Sequence, residues 1–241
     1  MINNLLTLFF CFIFYSILGY ILETMIFSIE QKKFINRGFL FGPICPVYGV
    51  GCLLIVLTIT QYKYDPLIIF VFGVILTSIV EYITSYLLEK LFNNRWWDYS
   101  NHKYSINGRV WLVNSIGFGL GALLVIYCFQ PTLNYVTDKI NPLIITIGGT
   151  IMLIAFIIDI IASSVIAYNL RNYLIVVEEL KNRKLKMFPQ FIERKFKEQI
   201  NKSKKSINRL LTAFPNLIRN KEQEVEQIKK WRDKDKKNRT K

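Results

Sequence analysis

The chain has 241 residues, 52% of them hydrophobic and 15% aromatic, with a formal net charge of +14. Several apolar runs reach ~20 residues, enough to cross ~30 Å of hydrocarbon as helix, and the ~10-residue alternating segments of a membrane β-barrel do not occur. A soluble fold is thereby excluded, and a single histidine, His102, excludes histidine-based metal clusters.

The charge is unevenly spread. Arg171 to Lys241 carry 22 Lys/Arg against 9 Asp/Glu, whereas the preceding residues hold 9 and 8. This predicts a nearly neutral transmembrane domain over 1–170 and a cationic tail over 171–241, suited to anionic lipid at a membrane surface. No nucleic-acid recognition motif accompanies the basic residues, so nucleic acid is not an expected partner. Cys11, Cys45, Cys52 and Cys128 lie in or beside apolar runs without CxxC spacing and read as structural thiols. The amino terminus lacks a basic region and a small-residue cleavage site, so its apolar run reads as a retained span.

In chain order, the expected spans are about 5–29, 41–60, 66–88, 110–129 and 142–168. The first carries Glu23 near its far end and leads into a basic loop with Lys32, Lys33 and Arg37. Pro43 and Pro46 stand at the start of the second. Proline lacks a backbone donor and clashes with the preceding turn, so this start is expected to be irregular. Such backbone persists at membrane depth only when buried in protein or facing water. The third span carries Glu81 and leads into a polar loop containing NNRWWDYS and ending at Arg109. A polar link around Pro131 to Asn141 separates the fourth span from the fifth, which contains Asp159. Lys and Arg concentrate in the loops after spans one and three and in the tail. The positive-inside rule then puts the amino terminus outside and the basic loops and carboxy terminus in the cytoplasm. The fold class is all-α: five transmembrane helices, as tandem two-helix hairpins plus one, with a cytoplasmic helical tail.

The tandem reading rests on internal similarity. GYILET around Glu23 resembles IVEYIT around Glu81, and Gly49-x-Gly51-x-Leu53-Leu54 resembles Gly119-x-Gly121-x-Leu123-Leu124. Ile35-Asn36-Arg37-Gly38 resembles Ile106-Asn107-Gly108-Arg109. Transporters are often built from such repeats, with a site between the halves. In the tail, Ile192, Phe196, Ile200, Ile207, Leu211 and Phe214 recur at helical steps among basic residues. The resulting amphipathic helix can lie on the inner leaflet or pack on the protein's own loops.

A charged side chain at the centre of a membrane helix costs ~3 kcal/mol on translocon scales, so Glu23, Glu81 and Asp159 each require a reason. Arg37 and Arg109 stand at the mouths of the following spans and are candidate partners. One reading is a polar cavity that binds a cation, proton or polar head group. The other is a pair of Glu–Arg staples that fix the hairpins. Asp159 has no local cation, which points to an exchangeable or protonated role. Trp96, Trp97 and Tyr99 suit a membrane interface. Asp98 can orient Arg109 or a ligand, and Asn114 adds a polar group near the same mouth. No GxxxxGK[ST] phosphate loop is present, so this chain does not hydrolyse ATP as a P-loop protein. No catalytic residue, metal ligand or cofactor is predicted.

The strings RGFLFGPICPVYG, WWDYS and INGRVWL, with an in-span glutamate before each hairpin turn, resemble the bacterial family labelled putative ABC-transporter permease, type IV. The resemblance covers about Phe10 to Ile126 strongly and the remainder loosely. It places Glu23, Arg37, Gly38, Gly42, Pro43, Glu81, Trp97, Asp98, Gly108 and Arg109 on motif positions, and Pro46, Trp96 and Asn114 lie beside them. It implies an integral protein of the plasma membrane, largely of Gram-positive bacteria, with a separate ATPase subunit as partner. The expected function is a permease-like transporter component, assembled as a homo-oligomer or hetero-oligomer. The alternatives are a membrane-embedded enzyme acting on lipid head groups and a non-catalytic scaffold or sensor.

Overall fold

The computed structural model describes residues 2–92, 94–181, 206–214 and 217. In chain order the elements are α1 (Ile2–Glu30), α2 (Pro46–Ile59, extended by a 3₁₀ turn Thr60–Tyr62), α3 (Pro66–Phe92), β1 (Ser105–Ile106), β2 (Val110–Trp111), α4 (Leu112–Leu124), a π turn (Val125–Phe129), α5 (Gln130–Lys139) and α6 (Pro142–Lys181). Among the described residues four helical stretches are long and apolar enough to cross a membrane: Leu5–Glu30, Pro66–Phe92, Leu112–Lys139 and Pro142–Tyr168. The helix over Pro46–Tyr62 is apolar but shorter. Residues such as Ile144, Ile147, Ile151, Ile154 and Ile158 stand exposed on α6. In water that surface would be costly; against acyl chains it is not.

Local chemistry sets the helix boundaries. Asp65 Oδ1 accepts the Leu67 and Ile68 amides at 3.0 and 3.1 Å, and Asn141 Oδ1 accepts the Leu143 amide at 2.9 Å. Each is an N-cap followed by proline at the first helical position. The α2 start is different. Cys45 offers no side-chain cap, and its amide donates instead to the Ser16 carbonyl of α1 at 2.9 Å.

The irregular entry expected over 41–46 is present: the backbone stays irregular to Cys45, and the helix starts at Pro46. Two expectations for the fourth span are corrected here. The fourth begins at Leu112, because Val110–Trp111 forms β2 of a small antiparallel ribbon with β1. The polar link after 129 is helical to Lys139. Pro131 would clash with the carbonyl four residues back in a regular α-helix, and the π turn just before it changes that register, so the helix survives.

By contacts the chain divides into two compact units, Met1–Leu87 with Asp98–Ser164, and Leu88–Trp97 with Val165–Lys241. The core of the first includes Cys11, Tyr15, Ile55, Ile69, Ala122 and Ile126. Within it, Tyr15 Oη donates to Gln130 Oε1 at 2.7 Å.

Two helix pairs in this unit approach through glycine. A Cβ on Gly49 of α2 would lie 2.1 Å from Ser16 Oγ and 2.6 Å from Phe12 Cδ2 of α1. A Cβ on Gly119 of α4 would lie 2.5 Å from Val74 Cγ2 and 2.9 Å from Phe70 Cε2 of α3. Phe12 and Ser16 precede Glu23 by 11 and 7 residues, and Phe70 and Val74 precede Glu81 by the same intervals. Gly49 and Gly119 are the corresponding glycines of the two similar segments. The two contacts therefore use equivalent positions, as two copies of one hairpin would.

In the second unit Trp96 is 3% exposed, with ring centroids 6.0 Å from Phe92 and 5.0 Å from Phe214. It is a core residue, which corrects its expected place in an interfacial belt. A short helix over 206–213 buries Ile207, Leu210 and Ala213. The Ile192, Phe196 and Ile200 part of the amphipathic pattern lies outside the described residues, as does the charged carboxy-terminal end.

Candidate functional site

Glu23 is neutralised from two sides. Tyr48 Oη donates to its Oε1 at 2.7 Å, and Arg37 Nε lies 3.5 Å from its Oε2. The arginine's guanidinium carbon sits 3.6 Å above the centre of the Phe27 ring, one helical turn beyond Glu23. Gly19 makes this possible. A Cβ there would fall 2.2 Å from Tyr48 Cγ, so only glycine lets the Tyr48 ring lie along α1 and reach the carboxylate a turn later. The Glu23–Arg37 staple expected from sequence is present.

Its expected counterpart is not. Among the described residues no ion pair joins Glu81 to Arg109. The turn Ile106–Arg109 has Asn107 at φ 51° and Gly108 at φ 66°, closed by the Arg109 amide donating to the Ile106 carbonyl at 2.9 Å. This Asn-Gly turn suits two successive positive φ angles. Arg109 leaves it toward α3, where Nη1 donates to Ser85 Oγ at 3.2 Å. Its guanidinium lies 5.7 and 5.5 Å from the ring centres of Tyr82 and Tyr86.

Glu81 is 7% exposed and meets the WWDYS segment instead. Its carboxyl shares a hydrogen bond with Tyr99, whose hydroxyl accepts from Asn114 Nδ2 at 2.9 Å. Glu81 Oε2 has no hydrogen-bond partner among the described residues. Burial, and behind it the neighbouring Glu81 and Glu23 carboxyls, push the Tyr99 phenol above its ordinary range. The two glutamates, Arg37 and the Tyr99 hydroxyl are thus electrostatic neighbours. The Tyr48 ring meets Phe118 edge-on at 5.7 Å, so α2 and α4 touch through equivalent positions beside this polar centre.

Asp159 has a different task. Its carboxylate accepts the Phe41 amide at 2.9 Å, the Gly42 amide at 2.8 Å and the Ser163 hydroxyl at 2.9 Å. A Cβ on Gly42 would lie 3.1 Å from Asp159 Oδ2. The acid clips the irregular RGFLFGP segment to α6. Among the described residues three neutral donors satisfy it and no ion pair joins it.

The other sequence candidates divide between turns and packing. Asp98 Oδ1 accepts the Ser100 amide at 3.0 Å and its hydroxyl at 2.6 Å, so it shapes the turn that carries Tyr99. Gly38 donates its amide to Asn36 Oδ1 at 2.9 Å. The Gly108 carbonyl accepts the Tyr99 amide at 2.8 Å. Pro43 and Pro46 bound the last irregular residues before α2, and Trp97 is half-buried in the second unit. Tyr48 and Tyr99 were missed as site residues, although both lie inside the quoted strings PVYG and WWDYS. No group of three or more His, Cys, Asp or Glu residues that could hold a metal occurs among the described residues.

A family model described as putative ABC-transporter type IV matches residues 10–164. Comparison with curated proteins and with solved structures finds no match.

Proposed function

The chain belongs to the putative ABC-transporter type IV family, and from that premise we propose that it is a permease-like component of a transporter. The observation that carries this reading is the pair of equivalent hairpins, whose glutamates, Arg37 and Tyr99 share one largely buried polar centre. Repeats that meet at such a centre are the usual frame of a transport site. Glu23, Arg37, Glu81, Arg109 and Asn114 line or border the path, and Asp98 and Asp159 hold the segments that build it.

On this reading α2 is a fifth span. Its α and 3₁₀ residues rise about 27 Å, close to a hydrocarbon thickness of ~30 Å, and the clipped segment before it supplies the rest. The amino terminus is outside, the basic loops and tail are cytoplasmic, and the membrane is the bacterial plasma membrane. The tail engages anionic lipid of the inner leaflet. Transport draws on a separate ATPase subunit, and the small span number calls for an oligomer.

Mild-detergent capture of the tagged full-length protein from its native membrane, followed by mass spectrometry, tests the proposal. A stoichiometric P-loop ATPase is the expected companion. A homo-oligomer without any ATPase would overturn the ABC-type assignment. Single cysteines at Lys33 and Lys103 test the orientation: labelling by an impermeant reagent from the cytoplasmic side alone is expected, and labelling from outside would reverse it.

A further inference from the structure

We infer that Glu81 carries an exchangeable proton and is the coupling site of the polar centre. Glu23, Glu81 and Asp159 differ in what neutralises them. Glu23 has the Arg37 guanidinium and the Tyr48 hydroxyl. Asp159 has two amides and a hydroxyl. Glu81 has Tyr99 on one side of its carboxyl, and its Oε2 is buried without a partner among the described residues.

An ionised carboxylate can accept about four hydrogen bonds. Leaving a buried ionised oxygen without a donor costs far more than leaving a neutral hydroxyl without an acceptor. The groups around Glu81 reinforce this. Glu23 of α1 adds a second negative charge. Arg37 is engaged with Glu23 and Phe27. Tyr48 of α2 is spent on Glu23, and Asn114 of α4 is neutral and bound to Tyr99. Arg109 is held at Ser85, Tyr82 and Tyr86. On α3 itself, the Ser78 hydroxyl donates to the Val74 carbonyl and shares a hydrogen bond with the Ser115 hydroxyl, and the Tyr82 hydroxyl accepts from Asn107. Among the described residues no ion pair to Glu81 holds it ionised, so the carboxyl takes its proton from water and returns it there. Tyr99 is the positioning residue. Its hydroxyl hydrogen-bonds the carboxyl, so shifting that phenol changes how readily the proton leaves.

The coupling role rests on the transport reading, but the proton site is tested without it. Dicyclohexylcarbodiimide attacks protonated carboxyls in apolar surroundings, and peptide mass spectrometry of the full-length protein in lipid nanodiscs locates the adduct. The expected result is an adduct on Glu81 and not on Glu23 or Asp159, with labelling falling about tenfold per pH unit once the carboxyl ionises. Tyr99→Phe should extend labelling to higher pH. Glu81→Asp should keep a pH-dependent adduct at the same position. No adduct on Glu81, or one no greater than that on Glu23, would overturn the inference, as would a Tyr99→Phe profile unchanged from wild type. An adduct on Glu81 with no companion ATPase would leave the proton site standing and remove only the ABC-type reading.

Discussion

The two hairpins pack alike and are charged differently. Gly49 against Phe12 and Ser16, and Gly119 against Phe70 and Val74, are the same contact made twice. Above these contacts the copies part. In the first, the turn residue Arg37 folds back on Glu23. In the second, Asn107-Gly108 occupy the positions of Asn36-Arg37, the arginine arrives later, at 109, and it goes to Ser85. The longer loop fills the gap with Tyr99. Close packing leaves little freedom to diverge, because any added atom clashes. A neutralising partner supplied by a loop can change without disturbing the helices.

The packing half of the comparison is broken most severely at the glycines. Gly49→Leu and Gly119→Leu should each cost about 3 kcal/mol or prevent accumulation, since neighbouring helices cannot part cheaply. Gly117→Ala and Gly121→Ala meet nothing within 4 Å and should instead gain about 0.5–1 kcal/mol from helix propensity. Thermal midpoints in detergent decide this, and equal losses at all four glycines would refute the equivalence.

The charge half is broken next. Arg37→Met should cost about 2–3 kcal/mol by stranding a part-buried carboxylate, and Glu23→Gln in the same chain should restore much of that loss. Glu81→Gln has no ion pair to break and should leave the midpoint within about 0.5 kcal/mol of wild type. Asp159→Ala should cost about 2 kcal/mol by orphaning the Phe41 and Gly42 amides. Tyr48→Phe should cost about 1.5 kcal/mol through its bond to Glu23.

The smallest effect is the dependence on pH through Tyr99. Its phenol is held protonated in the folded state, so its contribution is complete below the ordinary value of ~10. The unfolded chain ionises first, so that stability is lost as pH climbs past this value toward the folded one. Tyr99→Phe should flatten the profile above pH ~10. An alkaline slope that persists in the variant would assign it to another group.

Much of this architecture is legible in the chain. Long apolar runs announce the four long helices, the paired prolines announce an irregular start to α2, and a glutamate followed by a basic loop announces the Glu23–Arg37 pair. What escaped is nonlocal. The Asp159 clip joins residues 117 and 118 apart, and no period or spacing encodes such a contact. Tyr99 reads as an interfacial aromatic because its ring is apolar, Tyr48 draws no reading, and only the fold shows where their hydroxyls end. The π turn before Pro131 was hidden for another reason. Proline signals a break, and a one-residue change of register absorbs it.

The direct test of the charge asymmetry is infrared difference spectroscopy of the carboxylic C=O stretch, in the wild type and in Glu81→Gln and Glu23→Gln. The predicted result is a protonated-carboxyl band at neutral pH that vanishes in Glu81→Gln and survives in Glu23→Gln. A band lost with Glu23 instead, or none in the wild type, would contradict it and make the two hairpins alike in charge as well as in packing.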